Sequence, residues 1–96
     1  MAENKTIKII IADDHPIFRN GLRKLIEEDS SIEIIGEAEN GEAAMELITE
    51  LKPMIAVLDI DMPKMSGIQV LKNLNNLKTE IKIIFLTVLA SEDIFD

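Results

Sequence analysis

Cysteine, tryptophan and tyrosine are absent from this chain of 96 residues, and positively charged side chains are few. Without cysteine the chain can form neither disulfides nor thiolate metal sites, which fits a reducing compartment such as the cytosol. Ten lysines and arginines stand against eighteen aspartates and glutamates, so the net charge at pH 7 is −8. A surface this acidic repels phosphate backbones. The composition therefore argues against direct binding of nucleic acid and favours a basic partner or a divalent cation.

Long apolar segments are also lacking. The longest apolar runs, such as IIFLTVLA, are short and carry polar interruptions, so none is predicted to cross a bilayer. The first segment, MAENKTIKII, lacks the apolar core and the small-residue cleavage site of a signal peptide. We therefore expect a soluble, cytoplasmic protein without a membrane partner. A hydrophobic content of 47% supplies a core, and the length predicts a single domain over residues 1–96.

Short β-branched runs alternate with longer helical patterns along the chain. Strands are predicted at 6–12, 32–38, 54–59 and 81–87. Helices are predicted after Pro16, after Asn40 and behind the turn that contains Pro63 and Gly67, and Ser91 is predicted to cap the start of a further helix. This alternation predicts an α/β fold, a doubly wound parallel sheet with helices on both faces. Ligands of such sheets bind at the carboxyl ends of the strands.

Carboxylates gather at the predicted strand ends. The first strand ends at Asp13 and Asp14, and the third ends at Asp59. If these strands are neighbours, the three side chains converge, and two carboxylates about 5 Å apart repel by roughly 3 kcal/mol at an effective dielectric constant near 20. A hard cation with oxygen ligands relieves such repulsion. The sequence therefore predicts a Mg²⁺ site at this edge of the sheet.

Asp59 also has the features of a nucleophile. The apolar run IAVL fixes it at a strand end, and Pro63 stiffens the turn that follows. A carboxylate oxygen held beside Mg²⁺ can attack phosphorus and form an aspartyl phosphate. The hydroxyl of Thr87, at the end of the fourth strand, could then hydrogen-bond the phosphoryl oxygens, although an ordinary strand role for Thr87 stays open.

Three motifs, ADDHP, LDIDMPKMSG and FLT, resemble the receiver domain of two-component response regulators. The resemblance runs from about Thr6 to the last residue. Its motifs are specific, because the residue types, their order and their places at strand ends all agree. The opening DDHPIFRNGL is most similar to the subgroup whose receiver precedes a helix-turn-helix DNA-binding domain. The resemblance implies the flavodoxin-like receiver fold and a parent protein that regulates transcription.

The resemblance also implies a role for each matching residue. Asp59 would be the phosphoacceptor, and Thr87 would be the switch hydroxyl. Mg²⁺ would be bound by the carboxylates of Asp14 and Asp59, by the backbone carbonyl of Asp61, and by Asp13 mainly through water. The phosphoryl donor would be a phosphohistidine on a sensor histidine kinase. Such a module catalyses its own phosphorylation at most and turns over no external substrate.

One element of the receiver pattern is not found. Receivers carry a lysine at the end of a fifth strand, whereas this chain stops at Asp96, and neither Lys64 nor Lys82 stands at the equivalent position. The expectation is therefore a truncated receiver, an incomplete (βα)4 lacking the fifth βα unit. The fourth strand then becomes an unprotected sheet edge, which favours a homodimer or larger assembly with 81–87 in or near the contact.

Two other functions stay open at this point. The segment VLDIDMP superficially fits the D-x-D motif of aspartate-nucleophile phosphohydrolases, although Met62 stands where that family has Thr or Val and the motif follows the third strand. An interaction module that no longer responds to phosphorylation is the other alternative. Among individual residues, His15 is interpreted as an exposed residue at the start of the first helix rather than as a ligand, and the side chain of Asp61 as a turn residue.

Overall fold

The computed structural model describes residues 6–86, which form four strands and three helices. The elements, in chain order, are β1 (Ile7–Ala12), α1 (Pro16–Glu27), β2 (Ile32–Ala38), α2 (Gly41–Leu51), β3 (Ile55–Asp59), α3 (Gly67–Leu77) and β4 (Lys82–Leu86). The predicted strands agree with these bounds to within one residue at every strand end that the structure describes. The predicted end of the fourth strand at Thr87 and the helix expected from Ser91 lie outside the described residues.

The four strands form one parallel sheet in the order β2-β1-β3-β4. β1 and β3 are therefore neighbours, as the predicted site requires, and Ala12 lies opposite Leu58 in their register. The residues that follow, Asp13 and Asp59, consequently leave adjacent strands at the same level of the sheet. Parallel pairing brings all the carboxyl ends to one edge, where polar side chains from different strands can meet.

The core lies on both faces of the sheet, as predicted for a doubly wound fold. One face packs against α2 and α3, and its buried residues include Ile10, Leu58 and Val70. The other face packs against α1 and has a smaller buried set of Ile9, Ile11 and Val57. β1 and β3 contribute side chains to both clusters, which explains why their sequences are apolar at consecutive positions.

Two helices begin where the sequence predicts, after Asn40 and at Pro16, whereas α3 begins at Gly67, a residue that was predicted to lie in the preceding turn. The side chain of Asn40 accepts a hydrogen bond from the Ala43 N–H at 2.8 Å, and Ser66 accepts one from the Gln69 N–H at 3.1 Å, so both residues cap their helices. Pro16 begins α1, where its missing N–H is not needed. Each cap fixes where its helix starts after a strand end. Within residues 6–86, no helix is both long enough and apolar enough to span a membrane.

Candidate functional site

Three aspartates and a histidine meet at the carboxyl end of β1 and β3. Asp13, Asp14, His15 and Asp59 each offer one potential ligand atom, and these atoms all lie within 4.8 Å of one another. Asp13 and Asp59 are buried, with 1% and 3% of their surface exposed. Asp14 is half-buried at the mouth of the cluster. The convergence of carboxylates expected from the strand ends is thus present in the structure.

The backbone of Asp13 is held on two sides. Its N–H donates to the carbonyl oxygen of Ala38 at 3.0 Å, which continues the β1–β2 ladder beyond the strand. Its own carbonyl oxygen accepts a hydrogen bond from Arg19 Nη1 at 2.6 Å. Arg19 Nε in turn donates to Glu37 Oε1 at 3.1 Å. The guanidinium therefore ties α1 and β2 to the peptide that carries the Asp13 carboxylate.

The turn after β3 holds Asp59 in a similar way. The Asp61 N–H donates to Asp59 Oδ1 at 3.2 Å, and the Gly67 N–H donates to the carbonyl oxygen of Ile60 at 2.9 Å. Gly67 lies so close to the Asp59 carbonyl that a Cβ at this position would overlap it. The start of α3 therefore packs directly against the backbone of Asp59. The Asp61 N–H holds one carboxylate oxygen of Asp59, and the other has no hydrogen-bond partner among the described residues.

Three carboxylate oxygens in the cluster are shielded from solvent and have no hydrogen-bond partner in the part of the chain that the structure describes. They are Asp13 Oδ2, Asp14 Oδ1 and Asp59 Oδ2. A buried charged oxygen without a partner costs more than about 1 kcal/mol, so three of them in one place require compensation. A divalent cation with oxygen ligands fits these orphaned atoms, because it neutralises charge and takes carboxylate oxygens directly.

The electrostatics of the cluster set Asp59 apart. Burial raises the pKa of the Asp59 carboxyl above its ordinary value, and the Asp13 and Asp14 carboxylates raise it further. The hydrogen bond from the Asp61 N–H lowers this pKa and partly offsets the other effects. The ionised form of Asp59 is therefore disfavoured when no cation is bound. Bringing a positive charge into the cluster stabilises the carboxylate that can act as a nucleophile.

The sequence predicted the exposure of His15 but not its contacts with the acidic cluster. Its side chain is 56% exposed, as expected, but its Nδ1 lies 2.8 Å from Asp13 Oδ1 in hydrogen-bond geometry and 3.1 Å from Asp14 Oδ1. The hydrogen bond with Asp13 raises the pKa of the His15 imidazole, and the Asp14 carboxylate raises it further. The available signal was its position in the sequence directly between Asp14 and the helix-starting Pro16.

Of the two remaining predicted site residues, the structure describes Asp61 but not Thr87. Asp61 is exposed and lines a cleft of about 510 Å³ together with Asp14, Asp59 and Met62, but its side chain is not among the clustered ligand atoms. That agrees with a role limited to its backbone, and the role itself stays a prediction. Thr87 lies outside the described residues, so its predicted contact with a phosphoryl group also stays a prediction.

Comparisons with known proteins identify the family of this chain. The family model for the response regulator receiver domain matches residues 9–96. Transcriptional regulatory protein YdfI of Bacillus subtilis is 46% identical over 80 residues, which cover 83% of this chain and 37% of that protein. Protein-glutamate methylesterase/protein-glutamine glutaminase 2 of Vibrio vulnificus is 47% identical over 74 residues, which cover 77% of this chain and 21% of that protein.

A solved structure of a response regulator has the same fold. The crystal structure of a DNA-binding response regulator of the LuxR family from Staphylococcus aureus superposes with a TM-score of 0.82 at 35% sequence identity, covering 93% of this chain and 74% of that one. The flavodoxin-like fold expected from the sequence is thereby confirmed, and the phosphohydrolase alternative is not favoured. The chain spans well under half the length of the two curated relatives. With a family match from residue 9 to residue 96, the chain belongs to the response regulator receiver domain family.

Proposed function

We propose that this receiver domain accepts a phosphoryl group on Asp59. The observation that carries the proposal is the state of that side chain: Asp59 lines the cleft at the end of β3, its Oδ1 is held by the Asp61 N–H, and its buried Oδ2 has no partner among residues 6–86. Asp13 also has a buried, unpartnered Oδ2, but it is not among the residues that line this cleft. Oδ2 attacks the phosphorus of the donor, a new oxygen–phosphorus bond forms, and the donor's bond to phosphorus breaks. The product is an acyl phosphate on Asp59.

The acidic cluster would hold a Mg²⁺ ion during this reaction. Its ligands would be the carboxylates of Asp14 and Asp59 and the carbonyl oxygen of Asp61, with Asp13 acting mainly through water. The orphaned oxygens support this assignment, because Mg²⁺ prefers oxygen ligands and keeps several waters. When bound, the ion would neutralise charge on the phosphoryl oxygens. The side chains of the cluster bind it and keep Oδ2 of Asp59 oriented.

The source and the readout of the phosphoryl group follow from the family. The donor in this proposal is a phosphohistidine on a sensor histidine kinase, and the Thr87 hydroxyl binds the phosphorylated state. The relatives named as transcriptional or DNA-binding regulators support a parent protein with that output. The methylesterase relative covers a much longer chain, so its enzymatic activity is not carried over. This domain turns over no external substrate in the proposal.

Self-association of the 96-residue chain is a further part of the proposal. Among residues 6–86, β4 has a strand neighbour on one side only, and its Ile84 is 49% exposed. A second copy of the chain could pair with this edge and cover the apolar side chain. Size exclusion coupled to light scattering should then find a dimer or larger species at tens of micromolar. A well-folded monomer at that concentration would contradict this part of the proposal.

Phosphoryl transfer is tested by labelling. The wild-type chain, incubated with Mg²⁺ and a radiolabelled small-molecule phosphodonor, should become labelled, and Asp59→Asn should abolish the label. Asp29→Asn is the matched control, because Asp29 is an exposed aspartate in the turn that precedes β2, at the opposite end of the sheet. Label that survives in Asp59→Asn would refute the assignment of the nucleophile. Absence of label in the folded wild-type chain would refute the function for this chain.

A further inference from the structure

His15 is the only histidine of the chain, and its imidazole lies inside the acidic cluster. Nδ1 is 2.8 Å from Asp13 Oδ1, 3.1 Å from Asp14 Oδ1 and 3.9 Å from Asp59 Oδ2. The receiver-based assignment of ligands uses only oxygens and gives this nitrogen no function. The imidazole is nevertheless closer to all three carboxylates than any other nitrogen-bearing side chain that the structure describes at this site.

The separations of these atoms match those of atoms that share one metal ion. In an octahedral site with bonds of about 2.1 Å, adjacent ligand atoms are about 3.0 Å apart and opposite ones about 4.2 Å apart. The distances from Nδ1 to the Asp13 and Asp14 oxygens correspond to adjacent positions. The distance to Asp59 Oδ2 lies between the two values. The four clustered atoms spread over as much as 4.8 Å, so the exposed His15 side chain must shift towards the carboxylates when an ion is bound.

An independent observation points to a ligand in this cluster. Oδ2 of Asp13 and Oδ2 of Asp59 belong to side chains that are 1% and 4% exposed, and neither atom has a hydrogen-bond partner within the described range. The contact with His15 engages the other oxygen of Asp13 and therefore leaves these atoms unsatisfied. Buried acceptors of this kind point to a bound ion or an ordered water, and the charge of three neighbouring carboxylates favours a cation.

We propose that Nδ1 of His15 is a ligand of the cation site, so that the site takes divalent transition metals such as Co²⁺ and Zn²⁺ through mixed nitrogen and oxygen ligands. Imidazole suits Zn²⁺ and its neighbours in the first transition row, whereas Mg²⁺ takes carboxylate, carbonyl and water oxygens. His15 therefore shifts the selectivity of the cluster away from Mg²⁺. This inference rests on the proposed function only in that the carboxylates must bind a divalent cation.

The backbone position of His15 makes a clean substitution possible. His15 is the N-cap of α1, yet its side chain forms no capping hydrogen bond. Serine and asparagine are among the best N-cap residues, since their side-chain oxygens accept from the free N–H groups of the first turn. His15→Ser and His15→Asn therefore remove the imidazole without removing a capping interaction. Both variants should fold at least as well as the wild type.

The test compares two metals, each added alone. Co²⁺ and Mg²⁺ are titrated into the wild-type chain, His15→Ser, His15→Asn and Asp59→Asn at about pH 8, where fewer protons compete with the metals for the ligand atoms. Loss of the nitrogen should weaken Co²⁺ binding by about tenfold or more in both His15 variants and should change Mg²⁺ binding by less than about threefold. Asp59→Asn should weaken the binding of both metals.

Paramagnetic NMR supplies a direct second readout. Direct ligation by His15 should shift its ring protons far outside the diamagnetic range when Co²⁺ is bound, and these signals should vanish in His15→Ser. Because the chain has one histidine, the signals that disappear in both His15 variants are assigned to its ring, whereas shifted signals of the aspartates remain. Unshifted ring signals, or a ratio of Co²⁺ to Mg²⁺ affinity that the His15 variants leave unchanged, would overturn the inference.

The remaining outcomes separate this inference from the proposed function. Tighter Mg²⁺ binding in the His15 variants would mean that the imidazole competes with the ion for the carboxylates, which also overturns ligation by His15. Binding that depends on Asp59 but not on His15 would leave the phosphoacceptor site intact. Binding of both metals that is unaffected by Asp59→Asn would overturn both the inference and the proposed metal site.

Discussion

Backbone groups of neighbouring segments hydrogen-bond with one another at both ends of the sheet. Among the described residues, only the carboxyl end also has shielded carboxylate oxygens without a hydrogen-bond partner. At the amino end, the Met54 N–H donates to the Lys8 carbonyl at 2.8 Å, and the Lys82 N–H donates to the Met54 carbonyl at 3.1 Å. The carboxyl end also gathers Asp13, Asp14 and Asp59. Both ends stabilise the fold, but only the carboxyl end retains the unsatisfied charge that chemistry requires.

Backbone packing at the carboxyl end of the sheet also differs from that in the middle of α1. Around the carboxyl end, two glycines allow backbone segments to approach more closely than any other residue would permit: a Cβ on Gly41 would overlap the Met65 carbonyl, and one on Gly67 would overlap the Asp59 carbonyl. In contrast, nothing lies within 4 Å of a Cβ built on Gly21, in the middle of α1. The end of β3 and the loop that follows Asp59 are therefore held by steric fit to α2 and α3.

The largest expected effect comes from filling these contacts. Gly41→Ala and Gly67→Ala should each lower the free energy of unfolding by about 3 kcal/mol, because backbone atoms rather than flexible side chains must move. Gly21→Ala is the matched control and should raise stability by up to about 1 kcal/mol, since alanine is the better helix former. Urea denaturation measures all three. Equal effects at the three positions would contradict the packing account.

An intermediate effect is expected from removing charge at the carboxyl end. Without divalent cations, Asp59→Asn should raise the free energy of unfolding at neutral pH by about 1 kcal/mol, because it relieves carboxylate repulsion in a buried cluster. Millimolar Mg²⁺ should then stabilise the wild type but not this variant. Asp29→Asn, at the other end of the sheet, should leave the Mg²⁺ response unchanged. If Mg²⁺ leaves the melting temperature of the wild type unchanged, the proposed metal site is contradicted.

The same charge gives a defined pH dependence. Since the pKa of folded Asp59 lies above its unfolded value, the folded state binds more protons. The contribution of Asp59 to stability therefore rises as the pH falls from above the folded pKa towards the ordinary carboxyl range. Asp59→Asn should remove this contribution, which is measurable by denaturation in metal-free buffer at several pH values. Curves that stay parallel throughout would show that Asp59 is not desolvated.

The smallest effect is expected at the amino end, where the sign reverses. Hydrogen bonds from the Ser31 side chain and from its backbone N–H lower the pKa of the exposed Asp29. The associated stability is present above the unfolded pKa and is lost as the pH falls through the folded value. Ser31→Ala should raise the pKa of Asp29 in an NMR titration and should destabilise the fold less in acid than at neutral pH. An unchanged pKa would contradict this assignment.

The sequence predicted which carboxylates converge in the site, because the end of a strand can be recognised from neighbouring residues in the sequence. Asp13 and Asp59 each follow an apolar run, and parallel pairing of those runs brings the two residues to one edge. Asn40 is likewise readable as a cap, since its hydrogen bond reaches only three residues along the chain. Such features depend on near neighbours in the sequence and on one topological rule.

Other parts of the site depend on contacts that no local pattern encodes. The contact of Arg19 with the Asp13 carbonyl requires the first turn of α1 to fold back over the end of β1. The close approach of Gly41 to Met65 joins residues from two separate crossovers. His15 was interpreted as a surface residue because exposure is its commonest state, whereas its ring direction is decided by three carboxylates that converge only in the folded chain.

Mapping the phosphorylated residue tests the central claim most directly. After incubation with Mg²⁺ and a phosphodonor, borohydride reduction of an aspartyl phosphate leaves homoserine at the modified position, which peptide mass spectrometry can locate. The account predicts homoserine at position 59 alone, with Asp13, Asp14 and Asp61 unmodified in the same digest. Asp59 is buried, with a fixed Oδ1 and an unpartnered Oδ2. Asp13 shares these features, but unlike Asp59 it is not among the residues that line the cleft at this end of the sheet. Homoserine at position 13 or 14, or reduction at none of the four in a labelled sample, would contradict it.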